Sequence, residues 1–85
     1  MASIALLLST HLQLPDEWAP RLVSQPETGI GYQTASVRLR DDRVIEDVLI
    51  IGGIVTEVRG YESIPFSADE ISDIRVTHRK WEFRR

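Results

Sequence analysis

The sequence predicts a mainly β domain of five short strands with one short helical segment near the N-terminus. Apolar and polar residues alternate over short stretches, β-branched runs end at glycines, and three of the four prolines lie in the first 26 residues. A chain of 85 residues is long enough for one domain. We divide it into an N-terminal apolar and helical segment (1–32), a β-barrel region (33–78) and a basic aromatic tail (79–85).

The N-terminal apolar run is too short for an export signal or a membrane span. It covers residues 4–8 and has no lysine or arginine before it, whereas a signal core needs about 7–15 apolar residues and a membrane span about 20. The chain also has no cysteine, which suits a reducing compartment. We therefore expect a cytoplasmic protein that does not enter a membrane, with residues 4–8 serving a structural purpose.

A short helical segment is expected after Pro15. Asp16 and Glu17 follow this proline, and acidic side chains are favoured in the first turn of a helix. Pro20 lacks an N–H, so any helix here is short or begins late enough to hold Pro20 in its first turn. Residues 25–31 then form a turn-rich stretch that separates this segment from the strands.

Three strands follow in meander order. In residues 35–40, Val37 and Leu39 share one face while Arg38 and Arg40 share the other. The runs 43–51 and 54–59 are rich in β-branched residues and are joined by Gly52 and Gly53, which tolerate positive φ. The pattern predicts two hairpins in succession.

Two further strands complete the predicted five. Residues 63–66 are a candidate edge strand because Pro65 lacks a ladder donor. Ser67 and Glu70 have the spacing of a capping box, which predicts one helical turn. Alternation resumes over residues 71–78, where Ile74 and Val76 should face the core.

This arrangement resembles the Sm-like (LSm) family of small SH3-like barrels. The resemblance rests on residues 37–42, an apolar-x-apolar strand ending in a polar turn, and on residues 64–66 and 71–74, a strand ending in an aromatic residue and a final strand beginning with isoleucine. It covers about half the chain and implies a five-stranded barrel that assembles into a homo-oligomeric ring. Residues 25–33 also resemble a stretch that precedes such strands in small bacterial proteins, which implies no function.

Departures from the family pattern fall at its turns. Asp42 and Asp47 occupy the positions of the family's turn and bend glycines. Family members that bind RNA use the loops that correspond here to Gly52-Gly53 and residues 67–70. Asp69 and Glu70 would repel phosphates there, so the resemblance supports the barrel and the ring more than RNA binding at the family site.

The sequence contains few residues in a spacing typical of catalytic or metal sites. His11 and His78 are its only histidines, without the spacing of a metal motif. Neighbouring carboxylates such as Glu46 and Asp47 point to opposite faces of a strand and are more simply solvated charges. The glycine pairs lack the remaining residues of a nucleotide loop. We expect no enzyme, no cofactor and no metal site.

The tail is the part of the chain that most resembles a ligand or subunit contact. Residues 1–74 hold five basic and twelve acidic residues, whereas the chain from residue 75 onward holds five basic residues and one acidic. The candidate contact residues are Arg79, Lys80, Trp81, Phe83, Arg84 and Arg85. If the tail extends the last strand, Trp81 and Phe83 share one face, which suits packing between subunits. Stacking of the same rings on single-stranded RNA is the alternative.

Trp18 and Tyr32 are expected to seat the N-terminal segment on the barrel. The sequence thus predicts a non-catalytic, oligomeric binding or scaffold module, with RNA as its leading ligand. The alternative is an accessory subunit whose partners are proteins alone.

Overall fold

The computed structural model describes residues 11–82 and shows a mainly β protein. Five antiparallel strands form one curled, half-barrel sheet in the order β1-β4-β3-β2-β5. The strands are β1 (Leu12–Gln13), β2 (Gln33–Leu39), β3 (Val44–Ile51), β4 (Ile54–Val58) and β5 (Ile71–Val76). One α-helix, α1 (Ala19–Val23), follows a 3₁₀ turn at Asp16–Trp18. The predicted fold class is confirmed.

The position of Pro20 fits the predicted short helix. Pro20 lies in the first turn of α1, where its missing N–H costs no helical bond. Leu22 is the buried residue of this helix and joins the main core. Trp18 packs partly buried against that core, so its predicted role as an anchor of the N-terminal segment is confirmed.

The meander of β2, β3 and β4 matches the sequence pattern. Val37 and Leu39 are buried in the core, whereas Arg38 points to solvent. Gly52 and Gly53 both have positive φ, 59° and 78°, in the turn between β3 and β4. The two-residue period therefore located the inner face of the sheet correctly.

One predicted strand is wrong. Residues 63–66 form bends rather than a strand, although Phe66 is buried and Ile64 packs on the core. Pro65 cannot donate a ladder bond, and the edge of β4 is already occupied at Ile54 and Val55 by β1. The fifth strand is therefore β1, which sequence periodicity could not reveal because it is two residues long.

A 3₁₀ turn at Ala68–Glu70 leads into β5. It carries the predicted capping box, in which the Ser67 backbone N–H donates to Glu70 Oε1 at 2.8 Å. Ile74 is fully buried and Val76 packs partly buried against the core, as predicted. β5 ends at Val76, two residues earlier than predicted, and His78 beyond it has a φ of +62° that a strand cannot continue through.

Candidate interaction surface

The tail folds back across the outer face of the sheet. The Thr77 backbone N–H donates to the Thr34 carbonyl at 2.9 Å, and the Thr34 hydroxyl donates to the Arg79 carbonyl at 2.6 Å. The Trp81 backbone N–H donates to the Tyr32 hydroxyl oxygen at 3.4 Å. The Thr77 bond extends the β2–β5 pairing by one residue beyond Val76, and the other two bonds fix residues 79–81 against Thr34 and Tyr32.

Trp81 is buried by its own chain. It forms a small second cluster with Tyr32 and Leu49 on the face of the sheet away from the main core, and it is only 7% exposed. The guanidinium of Arg59 lies over its ring, with Cζ 4.7 Å from the ring centroid. Tyr32 holds the tail through its side chain, and its carbonyl accepts the backbone N–H groups of Thr28 and Gly29. Its predicted role in seating the N-terminal segment stays a prediction.

Asp47 pairs with two arginines of this region. Its carboxylate lies 3.7 Å from Arg59 Nε and 3.7 Å from Arg79 Nη1. The residue has a φ of +55° at the irregularity in the β2–β3 pairing, which turns the carboxylate toward both arginines. Asp42, at the β2–β3 turn, has a φ of +74°. Both aspartates thus adopt the backbone conformation that favours glycine.

The predicted tail residues differ in their surroundings. Arg79 and Lys80 are exposed, and Arg79 is held by Asp47. Trp81 is turned inward. Phe83, Arg84 and Arg85 lie outside the described residues, as does the apolar run 4–8. The prediction that the six residues form one contact surface stays a prediction.

A groove adjoins Trp81. It has a volume of about 350 Å³ and is lined by Glu57, Val58, Arg59, Gly60, Tyr61, Trp81 and Glu82. Tyr61 is 49% exposed here, so its ring is accessible where that of Trp81 is covered. The groove combines an exposed aromatic ring with charges of both signs.

A second surface runs along the outer edge of β5. Within residues 11–82 no strand pairs with this edge, because β5 is the last strand of the sheet. Arg21 on α1 reaches over it and donates to the Ile74 carbonyl at 2.9 Å and to Asp73 Oδ1 at 2.5 Å. The hydrogen bond from Arg21 lowers the pKa of the Asp73 carboxyl, against a smaller opposing effect of desolvation. A groove of about 410 Å³ follows the edge and is lined by Arg21, Gln25 and residues 73–76.

The outward side chains of β5 are charged. Asp73 lies opposite Arg38 of β2, and Arg75 lies opposite Ser36. Arg75 is exposed and makes no ion pair with any residue between 11 and 82. No local pattern marked Arg21, Asp73 and Arg75 as a group, because Arg21 meets β5 only through the tertiary fold.

Residues 11–82 carry no grouping of metal ligands and no apolar helix of membrane length. In that part of the chain, no group of three or more His, Cys, Asp or Glu side chains is placed to hold a metal ion. His11 and His78 are both exposed. None of the helices described is long and apolar enough to cross a membrane.

The fold and these surfaces define a small protein with a curled antiparallel β-sheet. Comparison with family models, with curated proteins and with solved structures finds no match to the chain.

Proposed function

We propose that this chain is a non-catalytic, Sm-like binding or scaffold module whose copies associate through the outer edge of β5. The supporting observation is the edge itself: β5 has six residues, no strand among residues 11–82 pairs with its outer side, and an open groove lies along that side. Such an edge presents main-chain N–H and C=O groups in the order that another strand needs. Association would also add burial to a small domain.

The positive φ values of Asp42 and Asp47 also favour the Sm-like assignment. These residues stand where the family has its turn and bend glycines, and they adopt the conformation for which glycine is suited. The expected ring requires the β5 edge of one copy to meet a different edge of the next, since head-to-tail contacts generate rings.

A substitution that blocks the edge tests this proposal. Since Thr77 N–H points to β2, the N–H of Val76 points away from β2, by the alternation of an antiparallel strand. Val76→Pro removes that outward donor and spares the bonds to β2, whereas Val76→Thr keeps it with a similar shape. Light scattering over a wide concentration range should show an oligomer for the wild type and for Val76→Thr. We expect Val76→Pro to weaken association at least tenfold.

A wild-type mass equal to that of one chain at every concentration would overturn self-association. Equal masses for Val76→Pro and the wild type would place the contact elsewhere. Circular dichroism on each variant distinguishes a lost contact from a lost fold.

Binding of single-stranded RNA beside the tail is a second candidate function. The supporting observation is the groove next to Trp81, where Tyr61 is half exposed and Arg79 and Lys80 are accessible nearby. Because Arg59 and Leu49 cover Trp81, a base would stack on Tyr61 instead. Glu57 and Glu82 line the same groove and would oppose phosphates.

Fluorescence anisotropy of a labelled uridine oligomer tests the RNA candidate. Tyr61→Ala and Lys80→Glu should each weaken binding at least fivefold, and affinity should fall steeply with salt. Arg43→Glu, at the remote β2–β3 turn, is the matched charge control and should have a smaller effect. Absence of binding at low salt would favour the alternative of an accessory subunit with protein partners.

Exposed apolar side chains support the protein-only alternative. Val23 is 83% exposed and Ile30 is 102% exposed. Val23 lines a cleft of about 410 Å³ between α1 and the β3–β4 turn, and Gly31, next to Ile30, lines it too. Apolar side chains around a cleft are a feature of protein contacts.

A further inference from the structure

The outward groups of β5 follow from its hydrogen bonding to β2. Thr77 N–H donates to the Thr34 carbonyl, so Arg75 and Asp73, at alternate positions from Thr77, also direct their main-chain groups toward β2. Ile74 and Val76 then direct theirs outward. The bond from Arg21 to the Ile74 carbonyl agrees with this alternation. The edge that a further strand would meet is thus centred on Ile74.

The side chains of β5 are arranged symmetrically about Ile74. Asp73 precedes it and Arg75 follows it, and both lie on the outer face because Ile74 itself is buried in the core. In an antiparallel pair of two β5 strands with Ile74 opposite Ile74, Asp73 of each copy faces Arg75 of the other. Opposite charges in directly paired positions are favoured.

This register also satisfies the main chain. Ile74 would exchange N–H and C=O bonds with Ile74 of the second copy, and Val76 would pair with Ser72. If the register is shifted by one residue, the outward N–H and C=O groups of one copy lie opposite main-chain groups of the other copy that already bond its β2. Centring the pair on Val76 or Ser72 separates Asp73 from Arg75. The charge pattern therefore selects one register.

We propose that β5 pairs with β5 of a second copy, antiparallel and centred on Ile74, to form a two-fold symmetric dimer with one continuous sheet. The inference rests on the proposed self-association and names its interface. It differs from a ring because a two-fold contact uses the same edge on both copies and closes at two chains.

Arg21 acts as a removable cover of this edge in the single chain. It bonds the Asp73 carboxylate and the Ile74 carbonyl, and its side chain is 49% exposed. Each bond that Arg21 gives up has a replacement in the dimer. Arg75 of the second copy meets Asp73, and the N–H of Ile74 of the second copy meets the Ile74 carbonyl. The groove along the edge is where β5 of the second copy would lie.

Charge reversal at the two flanking positions tests the register. Asp73→Arg places two arginines in the edge and Arg75→Asp places two aspartates there, so each variant alone sets like charges against each other. We expect each to dimerise at least tenfold more weakly than the wild type in analytical ultracentrifugation. An equimolar mixture should restore the dimer with one chain of each kind, identified by native mass spectrometry. Glu62→Lys, an exposed charge change in the loop after β4 and outside β5, is the control and should leave the dimer intact.

Removal of the cover gives an independent test. Arg21→Ala should raise the dimer fraction at a fixed concentration, since the entering strand no longer competes with the guanidinium. A lower or unchanged fraction in a folded Arg21→Ala variant would overturn the role of Arg21 as a cover.

The remaining outcomes separate this inference from the broader proposal. A wild-type assembly larger than two chains, or a mixture that fails to restore association, overturns the two-fold register and leaves self-association standing. A wild type that stays a single chain at all concentrations overturns both.

Discussion

The guanidinium of Arg59, at the end of β4, stacks on the indole of Trp81 in the tail, with 4.7 Å between Cζ and the ring centroid. Tyr32 and Leu49 complete the enclosure of the indole. A cation over a tryptophan face contributes about 0.5–1 kcal/mol at exposed sites and more when desolvated. Trp81 is thus a structural anchor that holds residues 77–82 on the sheet.

Truncation of Trp81 should destabilise the protein. Trp81→Ala removes a buried ring from the second cluster, and such changes cost about 3–5 kcal/mol in well-packed cores. We expect the lower part of that range because the cluster holds three buried residues among residues 11–82. Urea denaturation followed by circular dichroism measures the change. Lys80→Ala, one position earlier and exposed, should be neutral, and equal stabilities for the two variants would contradict the anchor.

Glycine at position 42 should stabilise the β2–β3 turn. Asp42 has a φ of +74° and its carboxylate makes only a long, exposed contact of 3.9 Å with Arg38. A left-handed conformation costs a non-glycine residue about 1 kcal/mol, partly offset by the greater freedom of glycine in the unfolded chain. Asp42→Gly should raise the free energy of unfolding by up to about 1 kcal/mol.

Asp41 is the matched position for that test. Its φ is not positive, and its carboxylate accepts bonds from the Arg43 backbone and side chain, which lower its pKa. Asp41→Gly should therefore lower the midpoint of urea unfolding. A gain in stability from both substitutions would show that backbone conformation does not distinguish them.

Stability in acid should depend on Asp73. The bond from Arg21 lowers the pKa of this carboxyl below its ordinary value of 3.8, so the charged form favours the folded state. The contribution is complete above the ordinary pKa and is lost as the pH falls through the lowered one. Because the pair is half exposed, it contributes at most about 1 kcal/mol.

Asp73→Asn gives the measurement. At neutral pH the variant should be less stable than the wild type, and at acid pH, below the ordinary pKa of 3.8, the difference should shrink as the wild-type carboxyl protonates. Denaturation is measured at dilutions that keep the wild type as single chains. A difference that is the same at both pH values would exclude Asp73 as its source.

Substitution of Glu70 should show how much the capping box before β5 contributes to the free energy of unfolding. Its Oε1 accepts the Ser67 N–H at 2.8 Å. Glu70→Ala leaves that donor without its side-chain partner and should cost about 1 kcal/mol. Glu70→Gln keeps an acceptor oxygen and should retain most of the stability. Thermal unfolding of the two variants compares them directly.

The sequence predicted those parts of the fold that depend on local patterns. Alternation located the inner faces of β2 and β5, and the Gly52-Gly53 turn and the Ser67–Glu70 box were identified from residue type and spacing. β1 escaped prediction because it pairs with β4 over two residues only. Residues 63–66 have an apolar pattern similar to that of a strand, but they cannot pair with β4 at Ile54 and Val55 because β1 already pairs there.

The candidate surface was predicted in composition but not in arrangement. Basic and aromatic character marked the tail, yet nothing local showed that Trp81 would turn inward beneath Arg59. The positive φ at His78 breaks the strand before it reaches the tail. Arg21 and Asp73 are 52 residues apart in sequence, so only the tertiary structure brings their charges together.

Thr34 joins two segments that the chain order keeps apart. Its N–H donates to the Thr28 hydroxyl oxygen at 3.0 Å, its carbonyl accepts the Thr77 N–H, and its own hydroxyl donates to the Arg79 carbonyl. A local opening that releases the tail therefore also loosens the turn around residue 28. Amide hydrogen exchange should register the two segments as one cooperative unit, with matched protection. Residues 77–79 thus complete the ordering of a turn that lies some 50 residues earlier in the chain.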